Sequence, residues 1–94
     1  MIMTAQQRAL AKHGNLRQLH KYAEECAEAA AAVLRWLSEP TPEHSSQMIE
    51  KMADVEVCTA YHRLIWGDGG IDNAVNAKLT RLERNLNDNF NCGA

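Results

Sequence analysis

An all-α fold is predicted by three observations. Alanine and leucine supply most of the apolar content, while the aromatics are two Trp, two Tyr and one Phe; that balance favours helices. No segment alternates polar and apolar residues with the period of a strand. The strong breakers are few: Pro40 and Pro42 in SEPTPEHSS, and the run Gly67-Asp68-Gly69-Gly70. They leave long uninterrupted stretches between them.

These breakers, with a softer one at His13-Gly14-Asn15, define the elements in order. A short helix is expected near 4–12, then long helices over about 16–38, 42–66 and 72–89, with a frayed polar tail at 90–94. Thr41 before Pro42 is a favoured helix start, and Asp72 can cap the last helix. With 94 residues, a single domain spanning 1–94 is the default.

Helical periodicity gives the first long helix two apolar stripes. One runs Leu16, Leu19, Ala23, Cys26, Ala30, Val33, Leu37; the other runs Tyr22, Ala29, Ala32, Trp36, with Glu25 inside it and Glu28 at its edge. The second long helix is also two-sided, with Met48, Met52, Val55, Thr59, His62 and Trp66 on one face. Ala53, Val57, Ala60 and Leu64 lie on the other, flanked by Tyr61. The last helix has one stripe: Ile71, Val75, Leu79, Leu82, Leu86. Three helices cannot cover both faces of two members. A second copy is therefore expected to complete a four-helix-bundle-like homodimer or homotetramer through the central helices.

Composition excludes several function classes. The formal net charge is −2 with no basic run, which argues against a nucleic-acid polymer or an anionic membrane as partner. No window approaches a membrane span, and the start MIMTAQQRAL lacks the apolar core of a secretory signal. Cys26, Cys58 and Cys92 are odd in number and widely spaced, which suits reduced thiols in a cytoplasmic protein. Redox control through Cys26 and Cys58 is the weaker alternative to small buried hydrophobes.

The acids are the chemical signal. Glu25 and Glu28 are three apart on one helix; Glu50 and Asp54 are four apart on the next. Carboxylates massed beside apolar surface repel each other and resist desolvation, so a compensating positive charge is expected. A hard divalent cation such as Mg²⁺ takes oxygen ligands and would supply it. The plain alternative is a solvated helix face. A di-iron site needs Glu-x-x-His twice, and no Glu here has a His three residues on. Zinc is disfavoured without Cys-x-x-Cys or His-x-x-x-His, and no Gly-x-x-x-x-Gly-Lys loop occurs.

HGNLRQLHKYAEECAE, then IEKMADVEV, then VNAKLTRLERNL together resemble the MazG-like all-α nucleoside triphosphate pyrophosphohydrolases, over roughly residues 5–86. The order of the Glu-Glu-x-x-Glu helix, the Glu-x-x-Asp-like helix and the Lys/Arg-bearing last helix carries the likeness. The resemblance implies helical hairpins associating as dimers or tetramers. It also implies hydrolysis of a nucleoside triphosphate to the monophosphate and pyrophosphate. By position, Glu25, Glu28 and Asp54 would be catalytic metal ligands, with Glu24 supporting from the edge, and Lys78 and Arg81 would face phosphates. Mg²⁺ would be the cofactor, with Mn²⁺ able to substitute. Such ions bridge the carboxylates and the triphosphate, polarise phosphorus and lower the pKa of a water. For base stacking the candidates are Tyr22, Trp36, Tyr61 and Trp66, for each of which core packing is the competing role.

One position departs from the pattern. Where the Glu of Glu-x-x-Asp should stand, the chain has Lys51, in Glu50-Lys51-Met52-Ala53-Asp54. Glu50 is the candidate replacement ligand, although it points about 100° away around the helix. The alternative is a catalytically silent helical oligomer that binds nucleotides or a partner, with Lys51 paired to Asp54 or Glu25.

Overall fold

The computed structural model describes residues 2–93, and side chains within 2–88. The described residues form four helices and no strand: α1 (Ala5–His13), α2 (Asn15–Ser38), α3 (Pro42–Trp66) and α4 (Asp68–Gly93). The all-α class and the order of elements agree with the sequence.

Local chemistry explains each boundary. Thr4 and Gln7 form a reciprocal capping box at α1: Thr4 Oγ1 accepts from the Gln7 N–H at 3.1 Å, and Gln7 Oε1 accepts from the Thr4 N–H at 2.7 Å. Gly14, at φ 87°, ends α1 and starts α2; a side chain would strain that left-handed backbone. Thr41 caps α3 by accepting from the His44 N–H at 3.1 Å, with Pro42 in the first turn.

The last boundary differs from expectation. Gly67, at φ 84°, closes α3, but Asp68-Gly69-Gly70 are already helical and α4 runs on through Gly93. Asp72 is therefore an internal residue of α4 and not its cap. The Arg63 guanidinium accounts for the early start. It donates to Asp68 at 3.0 Å and to Asp72 at 2.8 Å, tying the glycine-rich first turn to the end of α3. Ala94 falls outside the described residues, as do the side chains of the tail.

The α2–α3 hairpin is the centre of the molecule. α1 lies against both of its helices, and among the described residues α4 contacts α3 only. Gln6 on α1 reaches the Val57 carbonyl at 3.4 Å. The hydrophobic core is thin: Ala32, Cys58 and Tyr61 are buried, joined by the polar Gln18 and Glu25. The ring of His62 meets Tyr22 edge-on, 5.1 Å between centroids, so His62 packs between the central helices.

Of the two α2 stripes, the one bearing Glu25 and Ala32 turns inward, while Leu16 and Leu37 of the other are exposed. The buried line of α3 passes through Cys58 and Tyr61; Met52, Val57, Leu64 and Trp66 face outward. The accessible surface is 7325 Å², against about 5400 Å² for a compact monomer of this size. The radius of gyration is 17.5 Å, against about 12 Å for a compact chain. No helix among the described residues is long and apolar enough to cross a membrane.

Candidate functional site

The sequence-predicted acids lie along the seam between α2 and α3, at different depths. Glu25 is 8% exposed because it sits on the inward stripe of α2, one turn from Tyr22 and two from Ala32. Its Oε1 accepts from Lys21 Nζ at 3.3 Å, an i,i+4 pair along the helix surface. Its Oε2 is buried without a hydrogen-bond partner. Such an atom loses hydration and recovers nothing for it.

Glu28, Glu50 and Asp54 are exposed; the burial expected for both acid pairs holds for Glu25 alone. On an α-helix, three residues of rise leave Glu28 about 60° around from Glu25, enough to move it from the seam to its rim. Lys51, on α3, crosses that rim. Its Nζ donates to Glu28 Oε2 at 3.0 Å. The sequence placed Lys51 with Asp54 or Glu25, whereas the ion pair forms with Glu28.

Asp54 and Glu25 nevertheless contribute to its field. The hydrogen bond that Lys51 donates to Glu28 first, then the charge of Glu28, then those of Asp54 and Glu25, push the Lys51 ammonium above its ordinary pKa. On the α2 side, the hydrogen bond to Glu25 raises Lys21 likewise. Cys58, buried against the same seam, is pushed up by desolvation and then by the negative charges of Glu25 and Asp54. Carboxylates from two helices thus act on one ammonium.

Beside the Lys51–Glu28 pair lies a groove of about 410 Å³, lined by Glu28, Ala31, Ala32, Arg35, Gln47, Glu50 and Lys51. Its apolar floor is alanine and its walls carry both signs of charge. Arg35 and Gln47 were not singled out from the sequence. Arg35 stands seven residues after Glu28, two helical turns along the same face, and that spacing was the available signal.

Three expected members lie apart from both this groove and the seam. Glu24 lines a separate hollow with Arg17, Gln18, His20 and Lys21, so its link to the seam runs through Lys21. Lys78 and Arg81 are on α4, which among the described residues touches only α3. No hydrogen bond or ion pair among the described residues connects either of them to the acids.

The donor chemistry suits a hard cation, since every candidate ligand is a carboxylate oxygen and one of them is buried and unpartnered. The spacing is looser than a finished metal centre. Among the described residues no three His, Cys, Asp or Glu side chains gather closely enough to enclose an ion. A divalent cation here would compete with Lys51 for Glu28. Compared with protein-family models, curated proteins and solved structures, the chain matches none.

Proposed function

We propose that the chain is a divalent-cation-dependent nucleoside triphosphate pyrophosphohydrolase of MazG-like character, acting as a cytoplasmic homo-oligomer. The observation that carries this reading is the single ammonium of Lys51 held in the field of Glu28, Asp54 and Glu25 from two helices. A seam that draws in the nearest side-chain cation is one that a free cation can stabilise. The unpartnered Glu25 Oε2 supports the same reading. Glu25, Glu28 and Asp54 would hold Mg²⁺ or Mn²⁺ only by drawing closer together than they stand here, with Glu50 at the groove wall as a further donor. The ion would supply charge neutralisation and phosphorus polarisation.

The chain's own groups have three tasks. The carboxylates orient a water toward the α-phosphorus, and one of them takes its proton. The new bond runs from that water oxygen to the α-phosphorus; the bond from the α-phosphorus to the bridging oxygen breaks, and pyrophosphate leaves with the electron pair. Arg81, brought by a neighbouring copy, would bind the phosphates. The exposed Leu34, Leu37, Ile49, Met52, Val57 and Leu64 of the central helices support the homo-oligomer.

The test is pyrophosphate release from the common ribo- and deoxynucleoside triphosphates, with Mg²⁺ and with Mn²⁺. Release from at least one of them, lost in Glu25→Gln and Asp54→Asn, is the expected result. Silence across the panel overturns the reading. The second reading, a silent helical module that binds nucleotides or a partner, is favoured by the Lys51–Glu28 pair itself, because it already neutralises the rim. That reading predicts no thermal stabilisation by millimolar Mg²⁺.

A further inference from the structure

α4 leaves the hairpin with its apolar face bare. Val75, Leu79, Leu82 and Leu86 are between 42% and 57% exposed, and among the described residues α4 contacts no helix but α3. The clamp from Arg63 to Asp68 and Asp72 sets its direction at the base, so the stripe is held away from the chain's own core.

The spacing of that stripe fits a heptad seam. Steps of four, three and four residues are those of alternating d and a positions in a heptad, with Val75 and Leu82 at d and Leu79 and Leu86 at a. Ile71, four residues before Val75 and half-buried, falls outside this seam, which spans the outer part of α4. The flanking positions then follow. Asn76 and Glu83 fall at e; Lys78 and Asn85 fall at g.

Orientation is decided by those flanks. In a parallel pair each g position faces the e position five residues on in the other chain. Lys78 then meets Glu83 of the partner subunit, twice per dimer. In an antiparallel pair like flanks meet, and Lys78 faces Asn85 or another Lys78, with no opposite charge available. Neither Lys78 nor Glu83 has an ion-pair partner among the described residues of its own chain.

We infer that α4 forms a parallel coiled coil with α4 of a second copy, its seam built from Val75, Leu79, Leu82 and Leu86 and its register set by Lys78–Glu83 pairs between chains. The inference rests on the homo-oligomer reading and names its helix and orientation. The chain also exposes about 1900 Å² more than a compact monomer of its size, area that a second copy can bury.

Sedimentation equilibrium of the full chain and of charge-reversal variants tests this, with helicity followed by circular dichroism to confirm that each variant folds. Lys78→Glu alone and Glu83→Lys alone each weaken the dimer about tenfold, since each removes two pairs and sets like charges together; the double reversal restores it. Leu82→Asp, exposed within the chain and harmless to the monomer, dissociates the dimer. A dimer indifferent to Leu82→Asp overturns the inference and leaves the homo-oligomer standing. A dimer weakened by Leu82→Asp but not rescued by the double reversal overturns the parallel orientation. A monomer at every concentration overturns the inference and the homo-oligomer together.

Discussion

Lys51 Nζ lies 3.0 Å from Glu28 Oε2, across the mouth of the seam between α3 and α2. An ammonium is a compact point charge on a flexible stem, so it can serve there as a tethered cation. It can also withdraw when a stronger one arrives. Lys51→Glu removes the tethered cation and adds a carboxylate. Without Mg²⁺ this variant should melt below the parent chain, because it gathers like charges. With Mg²⁺ its Tm should climb further than the parent's, since the ion binds the folded cluster and not the unfolded chain. Pyrophosphate release should rise as well. Differential scanning calorimetry over a Mg²⁺ series reads the first two effects. Equal Mg²⁺ response in both proteins would show that Lys51 does not stand in the cation's place.

Glu25 carries the opposite tension. A carboxylate that is 8% exposed, with one oxygen unpartnered, is kept at a cost to stability. Glu25→Gln preserves shape and removes the buried charge. It should stabilise the metal-free chain by about 1 kcal/mol in urea denaturation. The same variant should lose the Mg²⁺-dependent gain in Tm. Destabilisation would mean that the Lys21 pair, 3.3 Å away, outweighs the buried oxygen.

Much of this architecture was legible in the sequence, for reasons that differ by element. The bounds of α3 follow from Thr41-Pro42 at one end and Gly67 at the other, both local chemistry. The start of α4 was set four residues late because Gly69-Gly70 read as a break; the Arg63 clamp that overrides them spans nine residues and has no local signature. Which apolar stripe of α2 turns inward does not follow from the sequence, since the one rich in leucine is the more apolar yet it is the one with Tyr22, Trp36 and Glu25 that packs inward. For the same reason the Glu25 stripe was visible while the depth of Glu28 was not: depth depends on how the hairpin rolls. Lys51 was conspicuous as a departure from the acidic pattern. Its partner was decided by the relative height of α2 and α3, which a single sequence does not encode in any spacing.

The shifted groups together predict alkaline sensitivity. Cys58 is raised from its ordinary 9.0, mainly by burial. Tyr22 is raised from 10.0, again mainly by burial and then by Cys26. Lys21 and Lys51 are raised from 10.5 by their carboxylate partners. In each case the folded state holds its proton more tightly than the unfolded chain. Stability is therefore full below the unfolded pKa and falls as pH rises through the folded one. Tm should be flat with respect to these groups up to about pH 9 and decline beyond it, Cys58 first. Cys58→Ala should delay the onset of that decline while lowering stability at neutral pH, because it leaves space in the seam. A Tm profile with an unchanged onset in the variant would remove Cys58 from the account.

Gly67 is the hinge through which α4 is aimed. At φ 84° and ψ 167° it occupies backbone space that is essentially reserved for glycine, and nothing lies within 4 Å of an added Cβ. Gly67→Ala is therefore a test of backbone conformation free of steric crowding. It should cost about 1–3 kcal/mol in chemical denaturation if the junction keeps its shape. If the junction rearranges to relieve the strain, the cost will be smaller and α4 will leave α3 at a new angle. Hydrogen exchange separates the two outcomes: the first leaves protection of α4 amides in place, and the second raises exchange from Asp68 onward. Arg63→Met gives the complementary result. It unties Asp68 and Asp72 without touching the glycine, so exchange should rise in the first turn of α4 while the amides of α2 around Glu25 stay protected. A uniform rise across α2 and α4 would instead mean that Arg63 supports the hairpin as a whole.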